Sequence, residues 1–349
     1  MFMSQLYEAC RNYETLELDV RGTPRAFFFD ENELLLSADA FPRLVETRLK
    51  ELTFKPLGQL FAMLAWTPKY CPLLETLRLS AEPGDEGSYK HLVAILRNNN
   101  FPHLRNLKVE NAVSRQHSFD EPLADIVRAI GQSRKDQDNN VNGRESRLER
   151  RGLESFRIGT RFSLSPNLVC ALTECHAHTL TVLDLENVKR MGFPELVECM
   201  TKLPLLRSLQ VITSLEYDEK DAGLMKPWIC LGLERLTIEL LKINPKPCPK
   251  YDFYIFSQVA RLTNLREWTH QHESIPYKID PGYLRQLSQL KKLVSLGFFD
   301  YFVGDFGEPE AIWMIKNWPR LAHMKGVCPD SLLGKALVQR RPWIEFEQE

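Results

Sequence analysis

Cys170, Cys175, His176 and His178 form the one cluster of cysteine and histidine in the 349-residue chain that invites a metal. Zinc takes such donors tetrahedrally, usually from two short-range pairs. Side chains five apart on a helix diverge by roughly 140°, and no second pair stands at zinc-finger spacing. The group therefore reads as a helix end, with His176 and His178 near its last carbonyls. In the HQH run of His270 and His272, His270 occupies an apolar strand position and reads as a tolerated core or edge histidine and not a catalytic one. There is no Walker A, GxGxxG, GxSxG or HExxH motif, and no histidine falls beside an obvious nucleophile. No catalytic residue, metal or cofactor is expected.

The overall composition excludes other classes. Lys and Arg number 45 against 46 Asp and Glu, a net charge of −1. That argues against a surface built throughout for nucleic acid or anionic lipid, but allows a local patch. A hydrophobic content of 44% excludes global disorder. No apolar run approaches the roughly 20 residues that span a bilayer. Residues Met1 to Cys10 have neither the basic nor the apolar region of a signal peptide. The eight cysteines are scattered without a CxxC pair, so free thiols in a reducing compartment are expected, cytoplasmic or nuclear.

What must position any site is set by leucine, which supplies 52 residues. The pattern L-x-x-L-x-L begins at Leu74, Leu104, Leu153, Leu180, Leu206, Leu233 and Leu293, with looser copies at Tyr13, Leu44, Leu265 and Leu321. Nine of the ten intervals lie between 26 and 32 residues, which chance does not produce. Each copy reads as a short strand with alternate residues inward. Helices are expected between them, at Pro56–Trp66, Tyr89–Asn98, Glu121–Ile130, Pro166–Cys175, Pro194–Leu203, Tyr254–Leu262, Pro281–Leu290 and Pro309–Asn317. Several open on proline, which costs no hydrogen bond in a first turn, and Ser165 and Asp280 stand as N-caps.

This strand-plus-helix unit resembles the leucine-rich repeat of the ribonuclease-inhibitor-like class. The resemblance implies an α/β solenoid of about eleven irregular repeats, a curved horseshoe with parallel strands on its concave face and helices on its convex face. The usual Asn or Cys after the strand is missing, so the repeats should be irregular. The leads CPLL, FPHL, LPLL and WPRL, and the terminal RRPWIEF, resemble the arrays of F-box proteins, especially fungal ones. That resemblance implies a non-enzymatic, monomeric scaffold that recognises substrates for an SCF-type ubiquitin ligase. No F-box is recognisable, so docking to the ligase adaptor would require one supplied upstream. The alternative is a ribonuclease-inhibitor-like or GTPase-regulating protein that acts by docking on an enzyme.

The domain expectation is one repeat domain over 1–349. The 49-residue interval is explained by a polar insertion at 132–151, read as a disordered loop, and 328–349 is read as a C-terminal cap. On the strand face, the central residue of successive motifs runs Glu17, Arg48, Arg78, Lys108, Arg157, Asp184. Four cations in adjacent strands repel one another unless something answers them. Arg48, Arg78, Lys108 and Arg157 are thus a candidate stripe for a protein partner with an acidic surface or peptide. The competing reading is a solvated face balanced by Glu46, Glu75, Glu110 and Glu154. Nucleic acid would favour more cations and exposed aromatics. A second candidate is the aromatic run Phe299, Tyr301 and Phe302, either an exposed patch or part of a cap with Phe306, Trp313, Trp318 and Trp343.

Overall fold

A computed structural model describes residues 13–19, 48, 50–55, 73–80, 92–94, 96–97, 101, 103–110, 120–132, 152–159, 164–216, 226–240, 249–272, 281–299 and 306–347. The chain divides into two compact units, Met1–Leu180 and Thr181–Glu349. In the first, β1 (Thr15–Asp19), β2 (Glu51–Lys55), β3 (Thr76–Ser80), β4 (Asn106–Glu110) and β5 (Ser155–Gly159) pair in parallel in chain order. Helices α1 (Asp120–Gln132) and α2 (Pro166–Cys175) pack against each other.

The second unit repeats the arrangement. Its strands are β6 (Val182–Gly192), β7 (Ser208–Glu216), β8 (Arg235–Leu240), β9 (Glu267–His272), β10 (Ser295–Phe299), β11 (His323–Lys325) and β12 (Glu345–Glu347), again parallel in chain order. Its helices are α3 (Phe193–Lys202), α4 (Pro249–Val259), α5 (Pro281–Gln286), α6 (Glu308–Asn317) and α7 (Leu332–Arg340). Parallel strands in chain order with helices interspersed between them make the α/β leucine-rich-repeat fold. Among the described residues no helix is long and apolar enough to cross a membrane.

The leucine pattern places the strands because each motif position has a fixed fate. In ten of eleven expected copies the strand begins two residues after the first motif residue. The first leucines, such as Leu74, Leu104, Leu153 and Leu180, are at most 1% exposed, as are Leu77, Leu79, Leu107, Val109, Phe156 and Ile158 within the strands. Each such burial is worth roughly 1.5–3 kcal/mol.

The copy expected at Leu44 is a correction. Strand β2 starts at Glu51, so the motif there is LKELTF, beginning at Leu49. The Leu44 frame would bury Thr47; the Leu49 frame supplies Leu52 and Phe54 instead, and Leu52 is fully buried. Apolar matter decides the register against even spacing.

Successive strands are also joined at their entry. The Glu14 carbonyl accepts the N–H groups of both Lys50 and Glu51, at 2.8 and 3.0 Å. Lys50, Glu75 and Arg105 do the same for the strand that follows each, and in the second unit Thr181, Arg207, Glu234, Arg266 and Val294 do likewise. One carbonyl thus satisfies two donors at each of these junctions, using both its lone pairs.

Helix starts follow local chemistry. Ser165 caps α2, its hydroxyl accepting the Leu168 N–H at 3.3 Å, with Pro166 in the first turn. Asp280 lies outside the described residues, as do Pro56–Trp66 and residues 133–151. The helix expected at Tyr254 begins earlier, at Pro249. Segment 328–349 holds α7 and β12, and β12 pairs with β11. Trp318 is buried, donates to the Leu287 carbonyl at 3.0 Å and meets Trp313 edge-on at 5.1 Å. Trp343 does not join them, being 67% exposed.

Candidate functional site

Three strands carry the cation row. Registers pair Arg78 with Lys108 and Lys108 with Arg157, on the outward positions between buried apolar residues. Parallel neighbours stand about 4.8 Å apart, so three positive heads share one short stretch of the strand face. Arg48 is not among them. It is exposed and lies three residues ahead of β2, and Thr53 holds the corresponding strand position opposite Arg78. The frame shift at Leu49 moves the arginine off the row, leaving a triplet where four cations were expected.

The triplet is unevenly answered. The Arg78 guanidinium pairs with Glu51 on the preceding strand and with Glu110 on the following one, the latter at 3.5 Å. Lys108 is half-buried between two arginines. Desolvation first, and then the charge of Arg78, pull its ammonium below the ordinary lysine range; Glu51 and Glu110 oppose this, and Arg157 adds to it. Arg157 is exposed and forms no ion pair among the described residues. Of the carboxylates expected to balance the row, Glu110 does so. Glu154 instead pairs with Arg105 at 2.8 Å, Glu75 acts on Lys50, and Glu46 lies outside the described residues. Glu51 was missed because the wrong frame placed it beyond the strand; the apolar triad Leu49, Leu52, Phe54 was the signal that could have found it.

Neighbouring rows show what a self-balanced face looks like here. One position before each strand, the first unit reads Glu14, Lys50, Glu75, Arg105, Glu154, alternating in sign across five consecutive repeats. Lys50 meets Glu14 at 3.0 Å, and that hydrogen bond, with the charges of Glu14 and Glu75, holds its ammonium above the ordinary range. In the second unit Arg207, Glu234 and Arg266 alternate likewise, with Arg266 3.9 Å from Glu234. The second unit's central row runs Asp184, Gln210, Thr237, Thr269, Gly297, Lys325, and its one cation meets Glu347 of the next strand at 2.8 Å. Only the Arg78–Lys108–Arg157 stretch sets like charges side by side among the described rows.

A stability prediction follows from the depressed Lys108. Lys108→Met should raise stability by about 0.5 kcal/mol at neutral pH, the scale of a like-charge cross-strand contact. A lysine whose folded pKa lies below its unfolded one destabilises the fold while charged, and that cost disappears as pH rises to the unfolded value. The advantage of Lys108→Met should therefore vanish above about pH 10.5. Urea denaturation at pH 7 and pH 11 checks both limbs.

The other candidates resolve differently. Phe299 ends β10, and Tyr301 and Phe302 lie outside the described residues. His176 is buried, with Nδ1 accepting the Leu153 N–H at 3.1 Å and Nε2–H donating to the Val127 carbonyl at 3.0 Å. Both ring nitrogens are occupied by backbone, and no group of three or more metal-ligating side chains occurs among the described residues. Cys170, Cys175, Cys199 and Cys230 form no disulfide among the described residues, and the last two are buried. Burial pushes the Cys230 thiol up to about 12, and Cys199 rises for the same reason. His270 is buried and stacks on Trp268 at 6.1 Å, a core position.

No family model and no curated protein matches this sequence. Among solved structures it is similar to the leucine-rich repeat-containing protein LegL7 from Legionella pneumophila, at 13% identity over 97% of this chain and 93% of that one, with a TM-score of 0.40. It is also similar to an LRR protein of Leptospira interrogans, at 12% identity over 99% and 98% of the two chains, with a TM-score of 0.41. Likenesses at this level carry no argument about function, and the repeat fold rests on the strand registers above.

Proposed function

We propose that the chain is a non-catalytic protein-interaction scaffold that docks an acidic partner on the strand face of its first unit. One observation carries this reading: three like charges stand side by side at Arg78, Lys108 and Arg157, next to a row where signs alternate. A face selected only for solubility would be expected to alternate as its neighbour does. A face holding uncompensated charge gives up stability that an anionic partner restores on binding.

Arg78 sits between Glu51 and Glu110, so reversing it would cluster three carboxylates and disturb the sheet. Reversal of Lys108 and Arg157 avoids that. The Lys108→Glu, Arg157→Glu double variant should lose binding to an acidic protein or peptide by about a hundredfold, with an unchanged circular dichroism spectrum. Wild-type affinity should fall steeply between 50 and 300 mM salt. Equal binding by the folded double variant would refute the acidic-partner reading.

The resemblance to F-box repeat arrays supplies the biological setting we propose, recognition of substrates for an SCF-type ubiquitin ligase. It rests on the FPHL, LPLL and WPRL leads and not on the cation row. Recovery of the ligase adaptor with the full-length gene product tests it separately.

A further inference from the structure

We infer that the acidic partner presents an α-helix lying across β3, β4 and β5, with carboxylates one turn apart facing Lys108 and Arg157. This rests on the docking reading above and specifies the occupant of that face. The first ground is spacing. Lys108 and Arg157 occupy paired positions on adjacent parallel strands, about 4.8 Å apart, and Arg78 lies one further spacing away. On a helix, side chains at i and i+3 or i+4 stand about 5–6 Å apart on one face, and i and i+7 are separated by about 10.5 Å of rise. That follows a row of three positions spanning about 9.6 Å.

An extended segment fits less well. Its same-face residues recur every 6.6–6.8 Å or so, overshooting one strand spacing by about 2 Å and two by about 4 Å. Adding a strand at the edge does not reach the row, because all three cations lie on strands whose two edges are already paired or, for Arg157, on the face and not the edge.

The second ground is how the charge is distributed. Arg78 is already engaged by Glu51 and Glu110. Attraction for incoming carboxylates is therefore concentrated at Lys108 and Arg157, a pair of sites matched by a pair of acids. The surroundings suit a rigid cylinder: Thr76, Asn106 and Ser155 flank the row on its entry side, and Asn106 is folded down onto the Thr76 hydroxyl at 3.1 Å. These short side chains leave the long cations standing above them.

The test uses the full chain and three peptides of equal length and net charge. One is a stapled helix with Glu at i and i+4, one carries the same sequence broken by a central proline, and one is an extended Glu-x-Glu peptide. Fluorescence anisotropy should give at least tenfold tighter binding for the stapled helix than for either other peptide. Lys108→Met and Arg157→Met should each erase most of that preference, whereas Glu14→Gln, in the alternating row, should leave it unchanged. Equal or tighter binding of the extended peptide would overturn the helix inference while leaving acidic docking intact. Failure of all three peptides to bind would overturn both.

Discussion

His176→Leu should lower stability by about 2–4 kcal/mol, with an unfolding midpoint in urea shifted down accordingly. The side chain is buried at the end of α2, yet what it holds lies elsewhere: the Val127 carbonyl in α1 and the Leu153 N–H just before β5. Leucine fills similar volume but leaves the Leu153 N–H without an acceptor in a dry interior, at about 1–3 kcal/mol, and removes the second hydrogen bond of the Val127 carbonyl, which keeps its place within α1, at about 1 kcal/mol more. Val127 and Leu153 stand on either side of the polar stretch 132–151. Thr179 adds to the clamp by donating to the Leu153 carbonyl at 2.9 Å. Hydrogen exchange at the Leu153 amide should accelerate in His176→Leu far more than at Leu209 in the second unit. A variant of wild-type stability with a still-protected Leu153 amide would show that water or a shifted backbone replaces the imidazole.

The second large effect is expected at Arg341, which is buried without a carboxylate beside it among the described residues. Its guanidinium donates to the carbonyls of Ile315 at 2.6 Å, Trp318 at 2.9 Å and Leu321 at 3.4 Å. These are the last turn of α6 and the turn leading into β11, where a helix leaves carbonyls unpaired and favours a positive charge. Desolvation lowers the Arg341 pKa from its ordinary value, but a guanidinium keeps its charge. Arg341→Met should cost about 2–4 kcal/mol, because hydrogen bonds from a charged donor are worth more than neutral ones. Arg341→Lys should recover only part of it, since one ammonium cannot reproduce the planar fork that reaches two segments at once. Thermal melts of the three proteins, with the exposed Lys335→Met as a control, check the ordering. Full rescue by lysine would mean that charge alone matters there.

How much of this was legible beforehand depended on what each residue has to do. Motif leucines announce strands because burial gives every one the same fate, and that is why ten strand starts follow from spacing alone. The eleventh was misplaced because even spacing was given weight over apolar content: Leu44 keeps the interval near 30, whereas the Leu49 frame supplies Leu52 and Phe54 in place of Thr47, and Leu52 is buried. From that one shift came both errors at the candidate site, the inclusion of Arg48 and the omission of Glu51. The role of His176 was half legible. Its place at a helix end followed from Cys170 and Cys175 on the preceding turn, but its partners sit 49 and 23 residues back along the chain. No local pattern encodes such a long-range pairing. Arg341 was hidden for the opposite reason, since a basic residue beside Arg340 in RRPWIEF reads as surface until the turn folds over it.

The doubled hydrogen bond at strand entry has a mechanical side as well. Within each unit a strand is fastened to its neighbours in sequence, so tension along the chain would be met one junction at a time, the strands peeling in order from an end. Each parting at the Arg105 carbonyl, for example, frees the tether between one entry and the next. Most tethers are 26–32 residues long, but the one between Leu104 and Leu153 is 49. At about 3.4 Å per residue that one yields roughly 165 Å of slack against roughly 95 Å for a typical repeat. Under load the first unit is thus a series of short leashes with one long one, and the imidazole of His176 is the knot that keeps the long one gathered.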